Sequence, residues 1–440
     1  MNNKKWMAIL LGGIMAASLA APCSVSAAEK TTLTFWHAMG GTNGEVLQQI
    51  VDDFNASQDE IEIKAEYQGT YDDTITKLKA AMQSDSGLPD VCQMYDVGTK
   101  FMYDSGAVIP VEDKFESTGY DKSSVMEVIS SYYTVDGKQY AMPFNVSTPM
   151  LYYNKDVFEA AGLDPETPPT TYDEVLEDAK KIVDSGAAPV GYSQAIYGWF
   201  FEQQLAGLGV TYGNNDNGRK EAVTAVDFDS NGGGLKVFDM WKKLYDSGCF
   251  EDYGTTTADT QTAFFSGQVG MIIESTAILK NAVDSSPFEV GTGYLPRIEQ
   301  NDEGGVIIGG GSLWLTDTGN EANEDAAWKF IEYITTPDVQ AKWSMGTGYF
   351  AINEKAYETE DMKAYLKENP NFETAINQLK DSPVNCNTAG VLSGVQTEAR
   401  LTFNEIMPQV YDGKLTTQDA VDQLAASVNK AIENYNESIK

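Results

Sequence analysis

Apolar residues fall three and four apart between Gly44 and Ala56, so that Val46, Leu47, Ile50, Val51 and Phe54 share one helical face. From Ile61 to Tyr67 the pattern shortens to strict alternation, the mark of a half-buried strand. Thr31–Trp36 before the helix reads as a buried strand, and the three segments form a β-α-β unit. A second amphipathic helix follows with Tyr71, Ile75, Leu78 and Met82 on one side, then Pro89-Asp90 and the apolar strand Val91–Tyr95. Alternation of strand and helix predicts parallel α/β layers.

The run Met142–Val175 joins an extended segment to a helix through a polar, tyrosine-rich crossing and reads as a hinge strand beside a ligand cleft. Beyond it, helices are expected near Tyr172–Val183, Trp199–Leu208, Gly234–Tyr245 and Thr256–Ser266, with a strand at Val269–Ile273 and an extended run over Gly304–Leu315. The last third is chiefly helical, over Asp325–Ile334, Thr336–Trp343, Glu398–Tyr411 and Thr417–Glu437. Gly309-Gly310-Gly311 interrupts an apolar strand, where three glycines sacrifice side-chain packing. Either a bend or a second hinge that offers backbone N–H groups to a ligand accounts for them, and Gly346-Thr347-Gly348-Tyr349 is a similar case.

Composition narrows the function. The 440 residues, 42% of them hydrophobic, suffice for two medium-sized cores, and 30 basic against 65 acidic side chains give a net charge of −35, which repels nucleic acid and anionic lipid. Lys4 and Lys5, an apolar stretch from Met7 to Ala21 and small residues ending at Ala27 predict a secretory signal over residues 1–27 and an extracytoplasmic mature protein. Ala21-Pro22-Cys23 is only a weak lipoprotein site, because proline stands where such sites carry a small residue. Cys92, Cys249 and Cys386 are odd in number and far apart, which indicates neither a disulfide framework nor a zinc site.

With His37 as the single histidine, Ser-His-Asp, Cys-His and multi-histidine metal sites cannot be assembled. Asn214-Asn215-Asp216-Asn217-Gly218 lacks the downstream glutamate of a calcium loop and reads as a plain turn. No catalytic residue, metal or cofactor is expected, and a secreted carbohydrate-active enzyme is the more remote alternative. Trp241, Trp328 and Trp343 sit in amphipathic helices as packing residues, whereas Trp36, Trp199, Trp314 and Tyr349 could present flat faces to a sugar ring.

The chain resembles the extracellular solute-binding proteins that serve ABC importers, in particular their glycerol-3-phosphate and sugar-binding branch. The matching motifs run in family order over nearly the whole mature chain: Phe35-Trp36-His37, Tyr71, Tyr95-Asp96-Val97-Gly98-Thr99, Pro143-Phe144-Asn145, Ser147-Thr148-Pro149, Gly310 with Ser312-Leu313-Trp314, and Thr347-Gly348-Tyr349. The resemblance implies a two-lobed α/β fold of the type II periplasmic-binding-protein kind, with three hinge crossings and the ligand cleft between the lobes. It places residues 28–145 and 309–347 in lobe 1 and residues 146–308 and 348–440 in lobe 2. It also implies ligand contacts at Tyr71, Ser147, Ser275, Gly310 and Tyr349, with Asp96 standing where the glycerol-phosphate binders carry a glutamate.

Departures from the pattern bear on the ligand. Gly390-Val391-Leu392 replaces a motif that carries an arginine in the glycerol-phosphate binders, which removes a cation suited to phosphate. Arg400 either compensates or forms a structural ion pair, and Glu274 would repel an anion if it faced the cleft. The expected function is therefore capture of a mono- or oligosaccharide by a monomer that closes its lobes and delivers to the transmembrane subunits of an ABC permease. Glycerol 3-phosphate or a glycerophosphodiester is the alternative ligand.

Overall fold

A computed structural model describes residues 30–84 and 87–439, so the expected secretory segment over residues 1–27 and Cys23 lie outside the described residues. Strand β1 (Thr31–His37) pairs in parallel with β2 (Ile61–Tyr67) on one side and β3 (Val91–Tyr95) on the other. Helix α1 (Gly41–Ser57) makes the first crossover and buries Leu47, Ile50, Val51 and Phe54, the stripe its spacing predicts. Helix α2 (Tyr71–Met82) makes the second and begins with a capping box: Thr70 Oγ1 accepts from the Asp73 amide at 3.2 Å, and the Asp73 carboxylate accepts from the Thr70 amide at 2.9 Å. A short strand β4 (Val108–Ile109), a small hairpin of β5 (Thr134–Val135) and β6 (Lys138–Gln139), and β7 (Met142–Ser147) complete this part of the chain.

Only Thr148 separates β7 from β8 (Pro149–Asn154), the first strand of a second sheet. Thr148 is fully buried and exchanges hydrogen bonds with Thr276, its N–H donating to Thr276 Oγ1 at 3.1 Å and its carbonyl accepting from the Thr276 N–H at 2.8 Å. The chain then makes α3 (Tyr172–Ser185), β9 (Val190–Ser193), α4 (Gly198–Gly207), α5 (Gly233–Asp246), β10 (Val269–Ser275) and β11 (Val290–Gly293). The second sheet has the order β11-β8-β10-β9. Residues 294–308 return the chain to the first sheet, where β12 (Gly309–Thr316) inserts antiparallel beside β3 and also pairs with β7. That sheet reads β2-β1-β3-β12-β4.

Helices α6 (Glu321–Ile334) and α7 (Pro337–Thr347) then cover the first sheet. Gly348 closes α7 at φ 90°. The Phe350 amide donates to the Val146 carbonyl at 2.9 Å, and the Met126 amide donates to that of Ile352 at 3.3 Å. Helices α8 (Glu360–Glu368) and α9 (Asn371–Asp381) follow, and Asn371 Nδ2 donates to the Val290 carbonyl of β11 at 2.8 Å. Helices α10 (Gln396–Tyr411) and α11 (Thr417–Ser438) finish in the second lobe, packed on each other and on α5.

The extended run expected from Gly304 becomes a strand only at Gly309. Before that point the backbone lies against α4, with the Ile307 amide and carbonyl both bonded to the Gln203 side chain at 2.8 Å. Gly304 permits this approach, since a Cβ there would meet the Ala206 carbonyl oxygen at 1.9 Å. One core fills the space under the first sheet around Phe35, Trp314, Trp328 and Trp343, and another lies within the helical layer of the second lobe around Phe201, Trp241 and Phe403. Each buried aromatic of this kind contributes on the order of 2–3 kcal/mol by removal of apolar surface from water.

Candidate ligand cleft

The two sheets present their strand ends to one another, and the side chains at those ends meet. From the first lobe, β3 runs out into a single 3-10 turn, Asp96–Gly98, which sets the Asp96 carboxylate at the lobe boundary with 4% of its surface exposed. From the second lobe, α10 sends Arg400 across to it, Nη2 donating to Asp96 Oδ2 at 2.9 Å. The same guanidinium is gripped from behind by Glu202 of α4, with Nε donating to Oε1 and Nη2 to Oε2, both at 2.7 Å. Gln396 Nε2 donates to Glu202 Oε1 at 2.7 Å and fixes the carboxylate in turn. Burial opposes the charge on Arg400, but Asp96 and then Glu202 outweigh it and hold the guanidinium more firmly protonated than usual. Burial pushes Glu202 upward, and Arg400 is what opposes that shift.

Beside this triad lies a hydroxyl cluster. Asn145 of β7 donates from Nδ2 to the Tyr71 hydroxyl at 2.7 Å and accepts at Oδ1 from Gln93 Nε2 at 2.7 Å. Tyr71 stacks on Tyr95 at 5.1 Å between ring centroids, and the Tyr95 hydroxyl reaches Thr397 Oγ1 of the opposite lobe at 2.6 Å. Tyr349 stacks on Trp343 at 5.7 Å, and its buried phenol is raised by desolvation while Asn145 and Tyr71 pull it back, so the three side chains share one locus. Tyr197 is pushed up to about 12 by burial, against Arg400 and with Asp96. All of these phenols are therefore neutral donors at physiological pH.

Glycine is required where β12 meets this cluster. Gly310 has φ 92°, and a Cβ on it would lie 1.8 Å from the Asn145 carbonyl oxygen. Gly309 is covered by the Trp199 indole, which a Cβ there would meet at 2.7 Å. Trp199 is 5% exposed, and its Nε1 has no hydrogen-bond partner among the described residues. Ser147 pairs in register with Gly309 at the end of β7. Ser275 caps the turn after β10, its Oγ accepting from the Ala277 amide at 3.2 Å, and Ser275 pairs in register with Pro149 beside the first crossing.

Of the residues expected from sequence, Tyr71, Asp96, Gly310 and Tyr349 converge, and Ser147, Trp199 and Ser275 line the adjoining strand ends. Trp36 and Trp314 sit apart. Trp36 is half-buried with its indole N–H on Glu66 at 2.9 Å, while Trp314 is fully buried in the first-lobe core with its indole N–H on Ser312 at 3.0 Å. Glu274 is buried, accepting from Gln261 Nε2 at 3.0 Å and from the Ser275 amide at 2.7 Å. Arg400, left open between two roles by the sequence, occupies the centre. Glu202 was missed, although an acid inside the run Trp199-Phe200-Phe201-Glu202-Gln203-Gln204-Leu205-Ala206 carries a signal, because a helix apolar all round is buried and a buried acid needs a partner.

Residues 49–374 match the family described as bacterial extracellular solute-binding protein. The chain belongs to that family. It is 31% identical over 417 residues to the sn-glycerol-3-phosphate-binding periplasmic protein UgpB of Escherichia coli K12, across 93% of this chain and 94% of the relative. Among solved structures, UgpB from Mycobacterium tuberculosis in complex with glycerophosphocholine superposes with a TM-score of 0.79 at 20% identity, over 92% of this chain and 99% of the other. The cyclic alpha-maltosyl-1,6-maltose binding protein from Arthrobacter globiformis gives 0.77 at 26% identity, over 92% and 100%. The fold is thus the two-lobed type II form expected, and the solute-binding role in an ABC importer, outside the cytoplasm, holds at the level of the family. No helix among the described residues is long and apolar enough to cross a membrane.

Proposed function

We propose that this solute-binding protein captures a small neutral carbohydrate between its lobes and surrenders it unchanged to the transmembrane subunits of an ABC permease. The observation that carries the reading is the charge of the cleft: its central cation, Arg400, is already held by two carboxylates, Asp96 and Glu202. A triad with one net negative charge disfavours a phosphate dianion but suits hydroxyl groups, which donate to carboxylate oxygens and accept from phenols and N–H groups. Tyr71, Asp96, Ser147, Trp199, Ser275, Gly310 and Tyr349, joined by Arg400, form the proposed shell, from which we remove Trp36, tied to Glu66 of β2 apart from the cluster, and Trp314, whose ring is fully buried in the first-lobe core. The lobe division follows the sequence reading except at the first boundary, which we place at Thr148 because β7 through Ser147 pairs with β12, and at the last, which we place after residue 357 because residues 349–357 bond to the first lobe. The protein is proposed to act as a monomer without catalysis, whether or not Cys23 carries a lipid.

A second reading is favoured by the Nη1 donors of Arg400, which neither Asp96 nor Glu202 takes, and by the ligand named for the relative from Escherichia coli. Calorimetry with mono-, di- and oligosaccharides, glycerol 3-phosphate and glycerophosphocholine decides between them. The expected result is binding of a neutral sugar, weakened tenfold or more by Asp96→Ala, since a charge-assisted hydrogen bond contributes about 1.5–3 kcal/mol. Tight binding of a phosphate ester with no response to any sugar would reverse the assignment.

A further inference from the structure

We propose that Glu202 is a positioning residue that decides the charge class of ligand the cleft accepts, by clamping Arg400 and cancelling its charge. The proposal rests on the reading of the Asp96–Arg400 gap as the ligand site and deepens it.

An arginine side chain has five N–H donors, one on Nε and two on each terminal nitrogen. Glu202 takes the Nε donor and one of those on Nη2, and Asp96 takes the other Nη2 donor. The fork is thereby locked in one orientation, with its Nη1 edge as the part not bonded to Asp96 or Glu202. Glu202 is 5% exposed and Arg400 8%, so the interaction is little screened by water. Glu202 is itself backed by Gln396, which keeps the carboxylate from swinging away when a ligand enters. Tyr197 and Tyr212 add no negative charge, as their burial keeps both phenols neutral. Arg219, another buried cation near the boundary, is turned to the carbonyls of Tyr132 and Gly390, and Lys100 is paired with Asp104.

The consequence is a cleft in which an arginine supplies geometry without supplying net charge. Its Nη1 edge can donate two directed hydrogen bonds to hydroxyl oxygens, whereas a phosphate dianion drawn to the same edge meets the field of two carboxylates bonded to the same guanidinium. Removing one of those charges while keeping the side-chain volume should shift selectivity rather than merely weaken binding.

The experiment compares wild type, Glu202→Gln and Glu202→Asp by calorimetry with glycerol 3-phosphate as probe, alongside whichever neutral sugar the wild type binds. Expected is a gain of roughly tenfold or more in affinity for glycerol 3-phosphate in Glu202→Gln, one pK-unit equivalent, diminished by added salt. Glu202→Asp, which keeps the charge, should show no such gain. An unchanged affinity for glycerol 3-phosphate in Glu202→Gln, or equal loss of both ligands, overturns the proposal. The wild-type titration alone tests the carbohydrate reading, so the two can fail separately. Should Glu202→Gln not fold by thermal unfolding, Glu202→Met removes the same unit of charge at the same position with similar side-chain volume, and absence of a gain there is equally decisive.

Discussion

His37 shows how one side chain records its surroundings. It lies at the end of β1 with 6% of its surface exposed, its ring 5.5 Å from Phe35 and 5.9 Å from Tyr67, and its Nδ1 accepts from the Met39 amide at 3.3 Å. Burial lowers its pKa from 6.5 to about 4, against the pull of Met39. The unfolded chain therefore binds a proton between about pH 6.5 and 4 that the folded chain refuses, so stability is full above pH 6.5 and falls as the solution is acidified through that window. Between pH 7 and 4.5 this site should cost about 2 kcal/mol after allowance for screening. Urea unfolding of wild type and His37→Gln at both pH values checks it: the variant should lose less stability on acidification, and parallel losses would remove the histidine as the source. That His37 is a packing residue was legible from its place beside Trp36 at a strand end. The Arg400 fork was not, because its partners Asp96 and Glu202 are 304 and 198 residues away in sequence and no local pattern couples them.

At the scale of elements, the segment Asn214–Gly218 does something its composition only hinted at. Asn215, Asp216, Asn217 and Gly218 occupy left-handed backbone at φ 57°, 55°, 58° and 76°, which these residue types tolerate best. Asn217 holds the turn by accepting from the Tyr212 and Gly213 amides at 2.8 and 2.9 Å and donating to the Cys386 carbonyl at 2.9 Å. The turn delivers Arg219 to the boundary, where Nη1 donates to the Tyr132 carbonyl at 2.8 Å and Nε to that of Gly390 at 3.0 Å, with Ala389 accepting from Nη2. Burial lowers its pKa to about 10, which still leaves it charged at neutral pH. Arg219→Ala should cost roughly 2–4 kcal/mol, since three buried carbonyls lose their donor. Arg219→Lys should recover less than half, because an ammonium cannot span the fork. Denaturant unfolding measures both, and a loss below about 1 kcal/mol for the alanine variant would mean the contact is incidental. The turn itself was readable from Asn and Gly. Its handedness, and the bond from the Phe350 amide back to Val146, were not, since both depend on partners such as Cys386 and Val146 that meet only in the folded chain.

Across the whole molecule, the parts written in periodicity came through: the β1-α1-β2-α2-β3 run forms, α1 buries its marked stripe, α2 buries Leu78 and half-covers Tyr71, Ile75 and Met82, and the long C-terminal helices form where expected. What spacing could not disclose is how firmly the two lobes hold each other. Besides Arg400–Asp96 and Arg219–Tyr132, the boundary is spanned by Tyr95–Thr397 at 2.6 Å and by the Tyr435 hydroxyl donating to Asp104 Oδ2 at 2.7 Å. The last two lie outside the triad, so they bear on closure more than on ligand contact. Each contributes about 0.5–1.5 kcal/mol, so removing both by Thr397→Val with Tyr435→Phe should shift the open–closed equilibrium by about 2 kcal/mol toward the open form. Since apparent affinity scales with the fraction of molecules already competent, ligand binding should weaken by up to about thirtyfold while the ligand contacts themselves stay in place. Small-angle scattering of the double variant should show a larger radius of gyration than wild type, and saturating ligand should return it to the compact value. An unchanged radius together with unchanged affinity would show that these bonds do not govern the motion, and would leave closure to the remaining contacts across the boundary, Arg400–Asp96 and Arg219–Tyr132 among them.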